Sequence, residues 1–243
     1  MNSISRYFLK SSQWQTGQLT LTGDEAHHCT RVLRSKLGET VEVFDGEGKS
    51  AQGEIISLGK DKVEITLKNE PIFSNRPNEI HLIQAIPKGG NMELIVQKAV
   101  ELGITSIQPL ITEHTIVRSE QMDKKLAKWQ RIALEACKQC GQNYLPTILP
   151  VEKFSNWIET EQQADLNIVA ALLPTSLPLA EIFTAKPKSS SCLIGPEGDF
   201  SDNEYQQIID ADYQPVTLGD IVLRVETATL YCLSVIKHEL ARL

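Results

Sequence analysis

The chain has 243 residues, enough to bury a sizeable core in one domain or two. Its 41% hydrophobic and 23% charged content is that of a soluble globular protein, and no apolar run reaches the roughly 18–20 residues that span a bilayer. The net charge of −7 divides into −1 over residues 1–71 and −6 over residues 72–243. A long polycationic tail is therefore excluded, and any phosphate contact has to come from local clusters. Met1–Lys10 carries no signal-peptide apolar region, and the cysteines, five in number, have no disulfide-framework spacing. Both features lead to the cytoplasm as the expected compartment.

The first 70 or so residues read as short strands around one short helix. Thr22-Gly23-Asp24-Glu25 has capping-box spacing, with Thr22 as N-cap and Glu25 reaching back to it. The helix it opens is expected to turn Ala26, Cys29, Val32 and Leu33 inward and to set His27, Arg31 and Arg34 in an opposite stripe. Val41 and Val43 alternate with polar residues, Asp45-Gly46-Glu47-Gly48 makes a turn, Ile55, Ile56 and Leu58 follow, and Val63, Ile65 and Leu67 recur at period two. The pattern predicts a small β-rich domain of barrel type over residues 1–71.

Asn69–Asn78, with Pro71 and Pro77, is the expected linker. Beyond it, strands alternate with helices. Ile80–Ile86 reads as a strand, Met92–Leu102 as a helix ended by Gly103, and Ile104–Ile111 as a second strand. Met122, Leu126, Trp129, Ala133, Ala136 and Cys140 mark an amphipathic helix. Leu166–Leu173, Ser191–Gly195 and Pro215–Leu218 are later strands, Ser201-Asp202-Asn203-Glu204 is a second capping box, and a last helix runs from about Glu226 to Leu240. This alternation predicts an α/β domain over residues 72–243 with a parallel sheet covered on both faces.

Ligands of open parallel sheets bind beyond the carboxyl ends of the strands. Two segments lie there. Ile194-Gly195-Pro196-Glu197-Gly198-Asp199-Phe200 leaves a buried strand through two glycines and a proline, and Leu218-Gly219-Asp220-Ile221-Val222-Leu223-Arg224 leaves the next strand and enters Val225-Glu226-Thr227-Ala228. Each alone is an ordinary β–α turn as readily as a site; paired at successive strand ends they favour a ligand cleft. Neither is GxGxxG or a P-loop.

Together these two segments resemble the cofactor-binding loops of the SPOUT methyltransferases. The likeness continues through His28-Cys29-Thr30-Arg31-Val32-Leu33-Arg34, Lys88-Gly89, Gln97-Lys98-Ala99-Val100-Glu101-Leu102-Gly103 and Glu135-Ala136. In this order the motifs resemble the bacterial 16S rRNA uracil-N3 methyltransferase family over essentially the whole chain. The resemblance implies a PUA-like RNA-binding β-barrel (1–71), a SPOUT α/β domain with a C-terminal trefoil knot (72–243), S-adenosyl-L-methionine as cofactor, 16S rRNA within the 30S subunit as substrate, and a homodimer. The sequence departs from the family pattern at Asp199, where a third glycine is usual, at His114 and Gln142, where arginine is common, and at Asn91 and Asp220, where a basic residue is frequent.

On that resemblance, Leu172, Leu173, Ile194, Gly195, Pro196, Gly198, Leu218, Gly219 and Leu223 are expected around the cofactor, although for Leu172 and Leu173 the sheet core is the favoured reading. Arg224 is expected to stabilise charge developing on a uracil carbonyl oxygen. Glu197 or Glu226 is expected to accept the N3 proton, and a Glu at a helix start is also often only a cap. His27, Arg31, Arg34, Lys36 and Lys88 are the expected RNA contacts, against the plain alternative of a solvated helix face. Cys137 and Cys140, though a C-x-x-C, are expected to pack in the core, as are Trp14, Trp129 and Trp157, and no metal is expected. The competing reading is an RNA-binding or assembly factor of the same fold without methyl transfer; a second is a related enzyme acting on another nucleotide or on transfer RNA.

Overall fold

The computed structural model describes residues 4–75, 78–116, 122–160, 164–183 and 187–242. It resolves into two compact units, Met1–Arg76 with Leu134–Leu145, and Pro77–Ala133 with Pro146–Leu243.

The first unit is a curled sheet of β1 (Ser5–Phe8), β2 (Gln18–Thr22), β3 (Thr40–Phe44), β4 (Lys49–Leu58), β5 (Lys62–Leu67) and β6 (Ile72–Phe73). The strand order is β1-β3-β4-β5-β2, with β6 paired to β4 and only β1–β3 parallel. Alternation sends Val41, Val43, Ile55, Val63 and Ile65 into a core with Tyr7, Leu19 and Leu21. The Asp45–Gly48 turn forms as expected: the Asp45 carboxylate accepts from the Glu47 and Lys49 amides at 2.8 and 3.0 Å.

The capping box expected at Thr22 does not form; helix α1 (Gly23–His27) has no side-chain cap. Glu25 is drawn away, accepting from the Phe8 amide at 2.9 Å and pairing with Lys138. The chain then widens into a π-helical turn, His28–Val32, whose Leu33 amide donates to the His28 carbonyl at 2.9 Å. Ala26 and Cys29 stay buried, but Val32 and Leu33, expected inside, are 60% and 44% exposed.

Residues 134–145, which pattern alone grouped with the later domain, pack in the first unit. Arg6 explains why: its guanidinium donates to the Cys137 carbonyl at 2.7 Å and to the Asn143 side chain, pairs with Glu42 and lies over the Phe44 ring. Cys137 is buried there, whereas Cys140, expected in the core, is exposed. Burial pushes the Cys137 thiol up to about 12, so it is inert at neutral pH.

The second unit holds β7 (Glu79–Ala85), β8 (Ser106–Ile111), β9 (Thr147–Ile148), β10 (Glu152–Lys153), β11 (Leu166–Ala170), β12 (Leu177–Pro178), β13 (Ser189–Ile194) and β14 (Gln214–Thr217). Among the described residues every pairing in this sheet is parallel, in the order β10-β8-β7-β13-β11-β14-β12, with β9 on β8. All carboxyl ends therefore share one edge. From β13 the chain passes over β11 to reach β14, and the loops of these three strands meet there.

Helices cover both faces, as the alternating pattern requires. On one side lie α2 (Asn91–Glu101) and α6 (Val225–Arg242), burying Ile95, Val96, Cys232, Leu233 and Ile236. Leu233, Ile236 and Leu240 thus serve the core. On the other side α4 (Phe154–Trp157) and α5 (Asp202–Asp210) bring Phe154, Trp157, Tyr205 and Ile208 onto Ile83, Val169 and Leu193. Helix α3 (Met122–Cys140) buries Trp129, Ala133 and Ala136 in the expected register.

Candidate active site

A cavity of about 550 Å³ opens at the carboxyl edge of the second unit, bounded by the ends of β11, β13 and β14 and the start of α6. That volume is in the range of small-molecule and cofactor sites.

The wall after β13 is held by its own side chains. Pro196 accepts from the Asp199 amide at 2.9 Å, closing a turn over Glu197-Gly198. A Cβ on Gly198 would come within 3.0 Å of the His114 Cβ, and one on Gly195 within 3.1 Å of the Phe200 ring, so a side chain at either position would be tightly crowded. Asp199 has φ 60°, the left-handed region where glycine is least strained. Its carboxylate accepts from the Phe200 amide at 2.8 Å and the Tyr205 hydroxyl at 2.6 Å. Burial and then this carboxylate raise the Tyr205 phenol far above its usual range, so it stays a donor. Ser201 and Glu204 form the expected capping box, and Glu204 also accepts from the Glu113 amide at 2.9 Å. His114 Nδ1 lies 2.9 Å from the Asp199 carbonyl, and that bond raises the His114 pKa.

The wall after β14 is looser. Thr217 Oγ1 accepts from the Gly219 amide at 3.3 Å, and Gly219 has φ 119°. Ile221 and Val222 are 71% and 81% exposed. The Arg224 carbonyl accepts from the Ala228 amide at 2.8 Å as α6 begins, leaving the exposed guanidinium at the cavity wall.

Of the residues expected around a cofactor, Leu172, Ile194, Gly195, Pro196, Gly198, Leu218, Gly219 and Leu223 line this cavity. Leu173 does not; it packs against the aromatic cluster beneath. Glu197, Arg224 and Glu226 line it too. The two carboxylates differ. Glu197 Oε1 accepts from the Lys88 amide at 2.9 Å, tying this loop to the one after β7. Glu226 Oε2 accepts from Asn91 Nδ2 at 3.2 Å. Asn91 as a lining residue was missed by sequence reasoning; its place at the first turn of α2, after Gly89-Gly90, was the available signal.

His27, Arg31, Arg34 and Lys36 lie together on one exposed turn of the first unit, while Lys88 is exposed in the second. Among the described residues the one cluster with metal-ligand spacing is Glu25, His28 and Glu135, and the Lys138 ammonium already pairs with both carboxylates.

The lining suits S-adenosylmethionine: apolar side chains for an adenine face, backbone groups of two loops for its polar edges, and carboxylates at Glu197, Asp199 and Glu226 against the single guanidinium, an acidic balance suited to a sulfonium.

Comparison with known proteins agrees with this geometry. The RNA methyltransferase domain model matches residues 74–237, and the RNA methyltransferase PUA domain model matches residues 21–68. The chain is 32% identical to "Ribosomal RNA small subunit methyltransferase E" of Bacillus subtilis, over 97% of each chain. A structure of the Neisseria gonorrhoeae protein of that name, bound to S-adenosyl methionine, matches with TM-score 0.86 and 30% identity, over 97% of this chain and 98% of the other. A putative methyltransferase of Legionella pneumophila with bound cofactor SAM matches with TM-score 0.88 and 32% identity, over the same shares. The two-part α/β fold is that expected, a PUA-like β domain followed by an RNA methyltransferase domain built on a parallel sheet.

Proposed function

From the premise that the chain belongs to the RNA methyltransferase family, within the small-subunit ribosomal RNA methyltransferase E group, we propose that it methylates N3 of one uridine in the decoding region of 16S rRNA, using S-adenosylmethionine. The observation that carries the reading is the cavity whose wall brings Arg224 and Glu226 together beside the two glycine loops.

Uracil N3 is protonated at neutral pH and becomes a nucleophile only as that proton leaves. When bound, the cofactor supplies an electrophilic methyl on a sulfonium. The chain supplies the rest. Glu226 is the proton acceptor: one carboxylate oxygen is held by a neutral amide, and among the described residues its other oxygen makes no hydrogen bond. Glu197, bound to the Lys88 amide, is the positioning carboxylate that holds the loop. The Arg224 guanidinium, with no ion-pair partner among the described residues, neutralises charge on a uracil carbonyl oxygen as N3 is deprotonated. His27, Arg31, Arg34 and Lys36, with Lys88, bind phosphates of the RNA. The target base has to leave its stack to reach such a pocket.

The same reading places the protein in the cytoplasm, acting on 30S subunits as a homodimer and without a metal. The exposed Ile221 and Val222, and Tyr231 at 46% exposure on α6, support a second copy as their cover.

The test is transfer of labelled methyl from S-adenosylmethionine to 30S subunits from cells lacking the activity, followed by nucleoside analysis. The expected product is 3-methyluridine at one position. Cofactor binding with a different modified nucleoside, or with transfer only to other RNA, would overturn the substrate assignment. Absence of cofactor binding would favour the non-catalytic factor.

A further inference from the structure

The most unusual surface of the first unit is the turn of residues 27–37. In a chain of net charge −7, these residues include Arg31, Arg34, Lys36 and two histidines and no carboxylate. Among the described residues no ion pair engages Arg31, Arg34 or Lys36. On the same turn Val32, Leu33 and Leu37 are 60%, 44% and 64% exposed.

This exposure is not fraying. Cys29 is fully buried, the Ser35 amide donates to the Cys29 carbonyl at 3.0 Å, and Ser35 Oγ lies 3.0 Å from the Tyr7 hydroxyl in the core. The Gly38 amide donates to the Ile55 carbonyl at 2.8 Å, closing the far end. Between these anchors the backbone takes two costly forms: the π-helical His28–Val32, and Arg34 at φ 53°. A non-glycine residue in the left-handed region is strained, and π-turns cluster at functional sites. An ordinary α-helix would have turned Val32 and Leu33 inward; the π-turn presents them outward.

We propose that Val32, Leu33 and Leu37 form an apolar wedge that packs on unstacked nucleobases of the substrate RNA, while the cations around it hold the flanking phosphates. This rests on the RNA-substrate reading above and adds to it a different chemistry on different residues. Charge complementarity selects the occupant: a protein face covering only the leucines would leave three unpaired cations against it, whereas RNA offers apolar base faces and phosphates together. The wedge contributes affinity that salt does not screen.

The experiment measures binding of the full-length protein to 30S subunits lacking the modification across a potassium chloride series. For L33S/L37S the expected result is an affinity loss of about ten-fold at every salt concentration with an unchanged salt slope. For R31Q/R34Q the slope itself should fall, by about one per lost phosphate contact. L33M/L37M, which keeps apolar bulk, should bind as the parent does, and matched melting temperatures show that all variants fold. Unchanged affinity of L33S/L37S overturns the wedge alone. So does loss of self-association with RNA affinity intact, which would assign the face to a second copy. Failure of the parent protein to bind 30S subunits would overturn the RNA-substrate reading and the wedge with it.

Discussion

Two loops line the same cavity and are built in opposite ways. Gly195–Phe200 is knitted to its surroundings: Glu197 to the Lys88 amide, Asp199 to Tyr205 and Phe200, and His114 to the Asp199 carbonyl. Leu218–Arg224 has little beyond the Thr217–Gly219 bond and displays Ile221 and Val222 to solvent. The first loop is a preformed wall whose glycines are closely packed by Phe200 and His114. The second is a surface waiting for contacts, and it delivers Arg224. Preorganisation and reactivity are thus divided between the ends of β13 and β14, with β11 between them.

The largest test of that division is Arg224→Ala. Loss of one preorganised charge donor costs about 10²–10³ in rate, so kcat for methyl transfer should fall by that order while cofactor binding, measured by calorimetry, changes little. Equal loss of cofactor affinity would make Arg224 part of the binding wall instead. Next come the two carboxylates. Glu226→Gln should lower kcat by about 10²-fold and leave cofactor binding nearly unchanged. Glu197→Gln should act mainly on the KM for cofactor. Reversed behaviour would exchange their roles.

A smaller effect probes the knitted wall. Asp199→Ala keeps the left-handed φ without glycine's freedom and removes both carboxylate bonds, so it should cost roughly 2 kcal/mol in thermal or chaotrope unfolding. Asp199→Gly loses the same bonds but relieves the backbone, and should be more stable than the alanine variant by about 1 kcal/mol. If the two were equal, the strain at φ 60° would be absent in solution.

The smallest is a pH effect. The His114 pKa is raised in the folded state by its bond to the Asp199 carbonyl. Its contribution is therefore fully present below the unfolded value of 6.5 and is lost as pH rises through the folded value. Stability should decline slightly over that window, and His114→Ala should remove the decline. A slope that survives the substitution would assign it to another group.

Much of the catalytic unit was legible in one dimension. The apolar strand runs, the Ser201–Glu204 cap and the two glycine-bearing loops depend on neighbours within a few residues, and they fold as the pattern implies. The Thr22 cap failed for a reason no local pattern contains. Glu25 is one of its own partners by spacing, yet the Phe8 amide and Lys138, far away along the chain, claim it. Cys140 likewise continues an apolar helical stripe but ends on the surface, and Leu173 packs half-buried against the aromatic cluster while its neighbour Leu172 faces the cavity.

By itself the sequence determined the two-part organisation, the parallel α/β pattern and the loops that carry the site, because backbone propensity, hydrophobic period and turn chemistry are short-range. Only the tertiary structure decided that Arg6 draws residues 134–145 into the first unit, that a π-turn faces Val32 and Leu33 outward, and that Asn91 meets Glu226. Each of those outcomes turns on which distant group satisfies a buried charge, an unpaired amide or a carboxylate. That competition is settled when the chain packs, through contacts between residues far apart along it.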